Sequence, residues 1–432
     1  NDRNTAIKKA YAAAIGHVVK LAKDSSVEKL IARLKEWYLE KEEDTVKNVC
    51  GLALHAINHH SPDVLKKHAA AALPLAFFAM HQQIHKEAKE KEGTQSVWEE
   101  VWLDATPGTE AGIRLYLKEL VELTQTALES QSWHVKAQAA ATMSTMANRL
   151  GARLGAPHLG LLLHALLKGL AGRTWTGKEA LLQATSTVCV SCKELVLEGQ
   201  EDQPKSQQVL DALLKECGKD NPTYKISALE ATGPVIESFG VDVFKDMYAV
   251  LQPILQKKEK EVVEEDEDVD KDTKLNLQIT AYDTLGLVWP ETQQTQDEFL
   301  EEVIEILQGG INHSMWKVNL ASLKATYKVL NRLLHLKSAN SMNENKNKVA
   351  ALLEQLLPAV SKSLGNLRYT TIRTEALELV SFFTGKMKDA EFSNYISEQL
   401  NKELKESLET MVATETQPDL KDKASELLKH FN

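Results

Sequence analysis

A short phrase recurs along the chain: an aromatic or polar residue, an aliphatic two positions on, then usually Lys or Arg. Six copies carry the cation: Thr5-Ala6-Ile7-Lys8, Asp44-Thr45-Val46-Lys47, Trp133-His134-Val135-Lys136, Trp175-Thr176-Gly177-Lys178, Thr370-Thr371-Ile372-Arg373 and Pro418-Asp419-Leu420-Lys421. Looser copies begin at Tyr224, Leu275 and Trp316. Successive copies start 39, 89, 42, 49, 51, 41, 54 and 48 residues apart, and the gap of 89 leaves room for a divergent copy. A period near 45 with a helix after each phrase is the signature of stacked helical pairs. The expectation is therefore all-α: an α-solenoid of HEAT-like (ARM-type) helical-pair repeats, about nine or ten of them, in a right-handed superhelix. Such a stack buries its core between neighbours and leaves long faces free, so binding rather than chemistry is the expectation.

The repeat overrides the domain count that 432 residues would otherwise suggest. One continuous solenoid over 1–432 is expected. The chain opens at Asn1, without methionine and already within a repeat, so it reads as a fragment of a longer protein. Only 11 prolines and 20 glycines, with few alternating β-branched runs, favour helix nearly throughout. A net charge of −10 with interspersed signs disfavours nonspecific binding to nucleic acid or anionic membranes. Four cysteines in a chain of this size make no secreted disulfide framework and point to a reducing compartment. No signal peptide is recognisable, and the longest apolar run, Leu159 to Leu167, is too short to span a bilayer.

Helical pairs can be drawn directly. In Trp133–Leu150 the residues Val135, Ala139, Met143, Met146 and Leu150 form one apolar stripe, and Ala137, Ala139, Ala140 and Ala141 allow close helix approach. The same layout recurs in Val46–Asn58, Lys178–Val190, Tyr224–Phe239, Trp316–Leu334 and Ile372–Phe383. The partner helices are Asp63–His81, Ala111–Glu129, His158–Leu170, Ser206–Cys217, Gln296–Leu307, Val349–Leu364 and Tyr395–Met411. Ser61 and Pro62 read as N-cap and first helical residue, and Pro74 is expected to kink its helix. Four polar stretches, near 86–96, 198–206, 257–274 and 338–348, read as solvated loops, the last two disordered. The cluster Glu264-Glu265-Asp266-Glu267-Asp268 is a self-repelling coil that could alternatively dock a basic surface.

Motifs that would carry chemistry fail one by one. Gly172-Arg173-Thr174-Trp175-Thr176-Gly177-Lys178-Glu179 matches the phosphate-cradling loop except at its last position, where Glu179 offers no hydroxyl for Mg²⁺ and would repel phosphate. The run before it is helical in period rather than a strand, and Trp175 and Lys178 belong to the repeat phrase. Cys189-Val190-Ser191-Cys192 lacks the second ligand pair of a zinc site and falls late in its helix, unlike a redox motif. His81 and His85 lie at i, i+4, but Gln82 stands where a zinc protease needs its general base. His55, His59 and His60 form a second loose cluster. Trp133, Trp175, Tyr224, Trp316 and Tyr369 recur once per repeat and read as packing rather than ligand platforms. Trp98 and Trp102 fall outside the phrase; they either staple the preceding charged loop or belong to a partner site. No catalytic, cofactor or metal residue emerges, and the chain reads as no enzyme.

Several segments together resemble one family. They are Pro62-Asp63-Val64-Leu65-Lys66 with Leu73-Pro74-Leu75-Ala76-Phe77, Gly112-Ile113-Arg114-Leu115-Tyr116-Leu117 with Ser130-Gln131-Ser132-Trp133, and Gly169-Leu170-Ala171-Gly172-Arg173-Thr174-Trp175 with Gly177-Lys178-Glu179. Leu214-Lys215-Glu216-Cys217, Trp316-Lys317-Val318 and Arg373-Thr374-Glu375-Ala376-Leu377 continue in order. These blocks, spread from near residue 10 to near 430, resemble the C-terminal part of the large HEAT-repeat adaptor and scaffold family of the proteasome; the 257–274 loop does not match. The resemblance implies a non-enzymatic scaffold, without cofactor, that binds 26S proteasome regulatory and core particle subunits and bridges or stabilises them. It further implies links, through partners, to endosomes, secretory-pathway compartments such as the endoplasmic reticulum and motor proteins, and a cytoplasmic and nuclear location. It assigns no partner-binding residue. A nuclear transport receptor, a phosphatase-type scaffold and a nucleotide hydrolase at 172–179 are the alternative readings.

Overall fold

The computed structural model describes residues 5–82, 96–256, 270–334, 342–386 and 397–431. Among them every regular element is helical. Two compact units are present, Asn1–Leu213 and Leu214–Asn432, and the boundary falls inside one helix, Ser206–Cys217.

In the first unit the helices are α1 (Thr5–Val18), α2 (Asp24–Glu40), α3 (Asp44–His60), α4 (Pro62–Lys67), α5 (Ala69–Ala79), α6 (Val97–Ala105), α7 (Thr109–Leu115), α8 (Leu117–Leu128), α9 (Trp133–Leu150), α10 (His158–Leu170), α11 (Glu179–Ser191) and α12 (Lys193–Glu198). They stack in two rows. One row runs α2, α5, α8, α10; the other runs α1, α3, α6, α7, α9, α11. After α13 (Ser206–Cys217), the second unit holds α14 (Pro222–Phe239), α15 (Phe244–Leu255), α16 (Lys271–Val288), α17 (Gln293–Ile311), α18 (Trp316–Leu334), α19 (Met342–Leu364), α20 (Thr370–Lys386), α21 (Glu398–Thr414) and α22 (Pro418–Leu428). Its rows are α15, α17, α19, α21 and α14, α16, α18, α20, α22. Consecutive helices pair across the rows, as the period of the phrase requires.

The core lies between the rows and is chosen by helical spacing. Val135, Ala139, Met143, Met146 and Leu150 of α9 are all buried, and Ala137 and Ala140 beside them let α11 and α8 approach. The gap of 89 residues between phrases contains α6. It packs on α3 and α5, so it is the divergent copy, shortened to nine residues.

Local chemistry sets several boundaries that patterning alone misses. The expected helix Asp63–His81 is broken at His68 (φ −108°, ψ 19°), not at Pro74, which α5 accommodates. Ala111–Glu129 likewise breaks at Tyr116 (φ −118°, ψ 26°), and a further break at Cys192 separates α11 from α12. These residues leave the helical well for the bridge region, which redirects the chain without a loop. Ser61 does not cap α4 with its side chain. Its hydroxyl donates to the Gly16 carbonyl at 2.5 Å, filling one of the open acceptors at the end of α1.

Two polar stretches expected to be coil are partly helical. Residues 271–274 open α16 and 342–348 open α19, as the first turns of helices whose later turns are held in the core from Thr280 and Leu352 onward. The 199–205 loop is pinned: Gln203 Nε2 donates to the Leu195 carbonyl at 3.2 Å, and His164 Nε2 lies 3.0 Å from the Asp202 carbonyl. The 86–95 stretch, His85 and the Glu264–Asp268 cluster lie outside the described residues.

Candidate interaction surface

The repeat phrase falls in, or in the case of Trp175 just before, the first turns of the second-row helices, and its residues reach along the stack. Trp133 stacks on His134 with ring planes at 30° and packs against the turn of the next repeat, where a Cβ on Gly177 would stand 2.7 Å from the Trp133 ring. Gly177 also has φ +99°, so both close approach and left-handed backbone select glycine there. Lys136 Nζ stands 5.5 Å above the Trp175 ring. In the second unit Trp316 and Tyr369, one repeat apart, stack with centroids 4.9 Å apart and planes at 19°. Tyr224 is buried and donates to Glu216 Oε2 at 2.5 Å.

The cations of the phrase are used in the same way. Lys47 is buried with Nζ 5.5 Å from the Tyr38 ring, and burial pulls its ammonium below the usual lysine range despite Asp44 and Glu42 nearby. Arg373 donates to Glu415 Oε2 at 2.7 Å, to the Asn366 carbonyl at 2.8 Å and to Thr370 Oγ1 at 3.3 Å. Glu415 also accepts from the N–H groups of Thr416 and Gln417. The Arg373 hydrogen bond and these N–H groups hold its carboxyl below the ordinary range. Nothing in the periodicity of the chain marks Glu415 as this partner.

The apparent phosphate loop is filled from within. It follows a helix, α10, rather than a strand. The Glu179 carboxylate accepts from the Gly177 N–H at 3.2 Å, taking the place an anion would need. Lys178 is fully buried, with Nζ 3.5 Å from the Gly172 carbonyl, and is not presented to an outside phosphate. The expected inter-helix turn is what forms.

The thiols and imidazoles likewise face inward or each other. Cys189 and Cys192 are buried, and desolvation pushes their thiols up to about 12 and about 11. Cys192 Sγ donates to the Gly151 carbonyl at 3.4 Å. Both nitrogens of His81 are engaged, Nδ1 at 2.8 Å from the Phe77 carbonyl and Nε2 at 2.8 Å from Thr145 Oγ1. Beside it Gln82, Tyr38 and Gln138 form a buried chain of hydrogen bonds that ties α5 to α2 and α9. His55, His59 and His60 do cluster and are joined by His17 of α1, whose ring lies 4.1 Å from His60. No group of three or more His, Cys, Asp or Glu among the described residues is arranged to hold a metal.

Trp98 and Trp102 are wholly buried, so they form no partner site. Trp98 meets the Tyr38 ring edge-on at 5.2 Å, and Trp102 packs on Phe77 at 4.7 Å. They are the anchors that let so short a helix as α6 hold its place. Their large apolar area is the reason, since buried aromatic side chains dominate core energetics.

Charge divides unevenly. Residues 1–213 hold equal numbers of acids and bases, so the net charge of −10 belongs wholly to residues 214–432. No helix among the described residues is long and apolar enough to cross a membrane.

The human proteasome adapter and scaffold protein ECM29 is 38% identical over 99% of this chain. The proteasome-associated ECM29 homolog of Drosophila melanogaster is 32% identical over 77%. The chain spans 23% and 18% of the lengths of these two relatives. Among solved structures, that of Kap121p bound to Ste12p matches 94% of this chain and 40% of its own at a TM-score of 0.53 and 14% identity, a likeness of fold alone. The HEAT-repeat domain of the proteasome adapter and scaffold protein ECM29 matches residues 1–39, and the C-terminal ARM-like repeats of ECM29 match residues 192–430. That second match covers more than half of the chain, so the chain belongs to the ECM29 family.

Proposed function

We propose that the chain is part of a non-enzymatic adaptor that binds the 26S proteasome and bridges or stabilises its regulatory and core particles. The observation that carries this reading is the similarity of 99% of the chain to a protein named as a proteasome adapter and scaffold, and of 77% of it to one named as proteasome-associated. The helical architecture supports it: two-row stacks offer many weak contacts along an extended surface, and linked contacts add through effective concentration. The filled loop at 172–179 supports the non-enzymatic part. The location is cytoplasmic and nuclear, with endosomal, endoplasmic-reticulum and motor associations arising through partners.

Crosslinking mass spectrometry on proteasomes mixed with the chain tests the proposal. Reproducible crosslinks to regulatory or core subunits are expected; their complete absence at low salt refutes it. Isothermal titration with Mg-ATP tests the enzymatic alternative. No heat of binding is expected, and binding abolished by Lys178→Ala would restore the nucleotide reading.

A further inference from the structure

In the second unit, the turns before α18 and α20 lie side by side on one edge of the stack. Here Trp316 and Tyr369 stack on each other, and neither is fully covered. Two apolar side chains project beside them: Met315 is 44% exposed and Leu367 is 79% exposed. Two cations complete the patch, with Lys317 Nζ 6.0 Å from the Trp316 ring and Arg368 Cζ 5.2 Å from the Tyr369 ring.

The patch is held in shape before anything binds. Asn366 Oδ1 accepts from the N–H groups of Arg368 and Tyr369 at 3.1 and 2.9 Å, which fixes the tip carrying Leu367. Arg373 holds the Asn366 carbonyl from below. On the neighbouring turn His313 Nδ1 accepts from the Met315 N–H at 3.0 Å. Ordering the tip in advance lowers the entropy lost when a partner covers the exposed Leu367.

The local charge is opposite to that of the unit around it. Residues 306–343 and 355–374 contain no Asp or Glu, although residues 214–432 carry the whole net charge of −10. The nearest acid on the following turn, Glu415, is already bound by Arg373. Acids return at the preceding turn of the row, with Asp270 and Asp272 before and within α16. A ligand for this edge is therefore short, apolar at its centre and anionic at its flanks. Trp, Tyr and Arg are enriched in protein recognition hot spots, and Met in interfaces generally.

We propose that the edge formed by Met315, Trp316, Lys317, Leu367, Arg368 and Tyr369 is a docking site for an acidic peptide segment carrying an aliphatic or aromatic anchor. The anchor covers Leu367 and Met315 against the stacked rings, and the flanking carboxylates meet Lys317 and Arg368. This inference stands apart from the proteasome reading: it names a ligand chemistry and does not depend on which protein supplies it.

The test uses the full chain and fluorescence anisotropy with a fluorescein-labelled peptide of Glu and Asp around a central Phe-Leu pair. Saturable binding that weakens with salt is expected. Lys317→Glu with Arg368→Glu, and separately Leu367→Ser, weaken it about tenfold, because like charge or a lost anchor removes the complementarity. These side chains are exposed, so circular dichroism should be unchanged. Lys402→Glu on α21 serves as the charge control and leaves binding as it was. Equal affinity for a peptide with Lys in place of its acids overturns the proposal, as does wild-type binding by the charge-reversed or Leu367→Ser variants. Binding to phosphatidylserine vesicles but not to the peptide also overturns it. None of these outcomes alters the crosslinking result, so the two proposals fail separately.

Discussion

Replacing Arg373 with Met isolates what one phrase cation contributes to the stack. In the folded chain the guanidinium joins three places: the Asn366 carbonyl, Thr370 at the start of its own helix, and Glu415 one repeat on. Side-chain exposure is 11% for Arg373 and 1% for Glu415, so the pair is a buried one. Removing one partner of a buried pair typically costs 3–5 kcal/mol, since the other charge is left without its counterion. Glu415 keeps two backbone N–H donors here, which places the expected loss at the lower end, about 3 kcal/mol. Because the chain has two compact units, a single global unfolding energy is a poor measure. Hydrogen exchange of α20, α21 and α22 is the appropriate assay. Protection in these helices should fall by about two orders of magnitude while that of the first unit is unchanged.

The pH dependence follows from the same contact. The folded carboxyl of Glu415 titrates below the usual range, so its contribution is present above the unfolded pKa and is lost as pH falls through the folded value. Wild-type protection of these helices should decline in acid, and the Arg373→Met variant should decline less. Replacing both partners, Arg373→Met with Glu415→Leu, should recover most of the loss, because no buried charge is left unpaired. If Arg373→Met costs less than about 1 kcal/mol, the pair behaves as a solvent-screened surface pair and the repeat-to-repeat role is wrong.

Three further outcomes are expected. A Cβ on Gly310 of α17 would meet Ser322 Oγ and stand 2.6 Å from the Tyr282 ring, so Gly310→Ala should cost about 1–3 kcal/mol by overpacking, read as lost protection in α16, α17 and α18. All four thiols are buried, and Cys189, Cys192, Cys50 and Cys217 titrate well above an ordinary cysteine, so a disulfide reagent at pH 8 should find almost no reactive thiol until denaturant is added. His60 titrates below the ordinary histidine value, through desolvation first and then the charges of His17, His59, Lys20 and His55, while Glu100 meets His55 at 3.0 Å. A depressed histidine pKa means stability present above the unfolded value and lost as pH falls below it. Opening of α1 from α3 should therefore rise between pH 7 and 5, and His60→Gln should flatten that rise.

The period near 45 residues determined the class of fold, because a helical pair cannot bury its apolar stripe alone and must stack on a copy of itself. The stripe of α9 and the exact bounds of α9, α10, α13 and α18 were legible for the same reason: their periodicity is strong and their ends are marked by the phrase or by polar turns. The departure of Glu179 from the phosphate-loop pattern was likewise a matter of residue type, readable without coordinates.

Contacts between repeats were a different matter. That Arg373 finds Glu415, and that His17 joins the α3 histidines, depend on side chains roughly one repeat apart, for which linear spacing carries no signal. Trp98 and Trp102 show the limit most clearly. From their place after a charged stretch they read as a staple for that loop or as part of a partner site, and only packing between α3 and α5 made them core anchors. Hydrophobic periodicity is local and survives in one dimension, whereas polar pairing and burial are set by which turns the stack brings side by side.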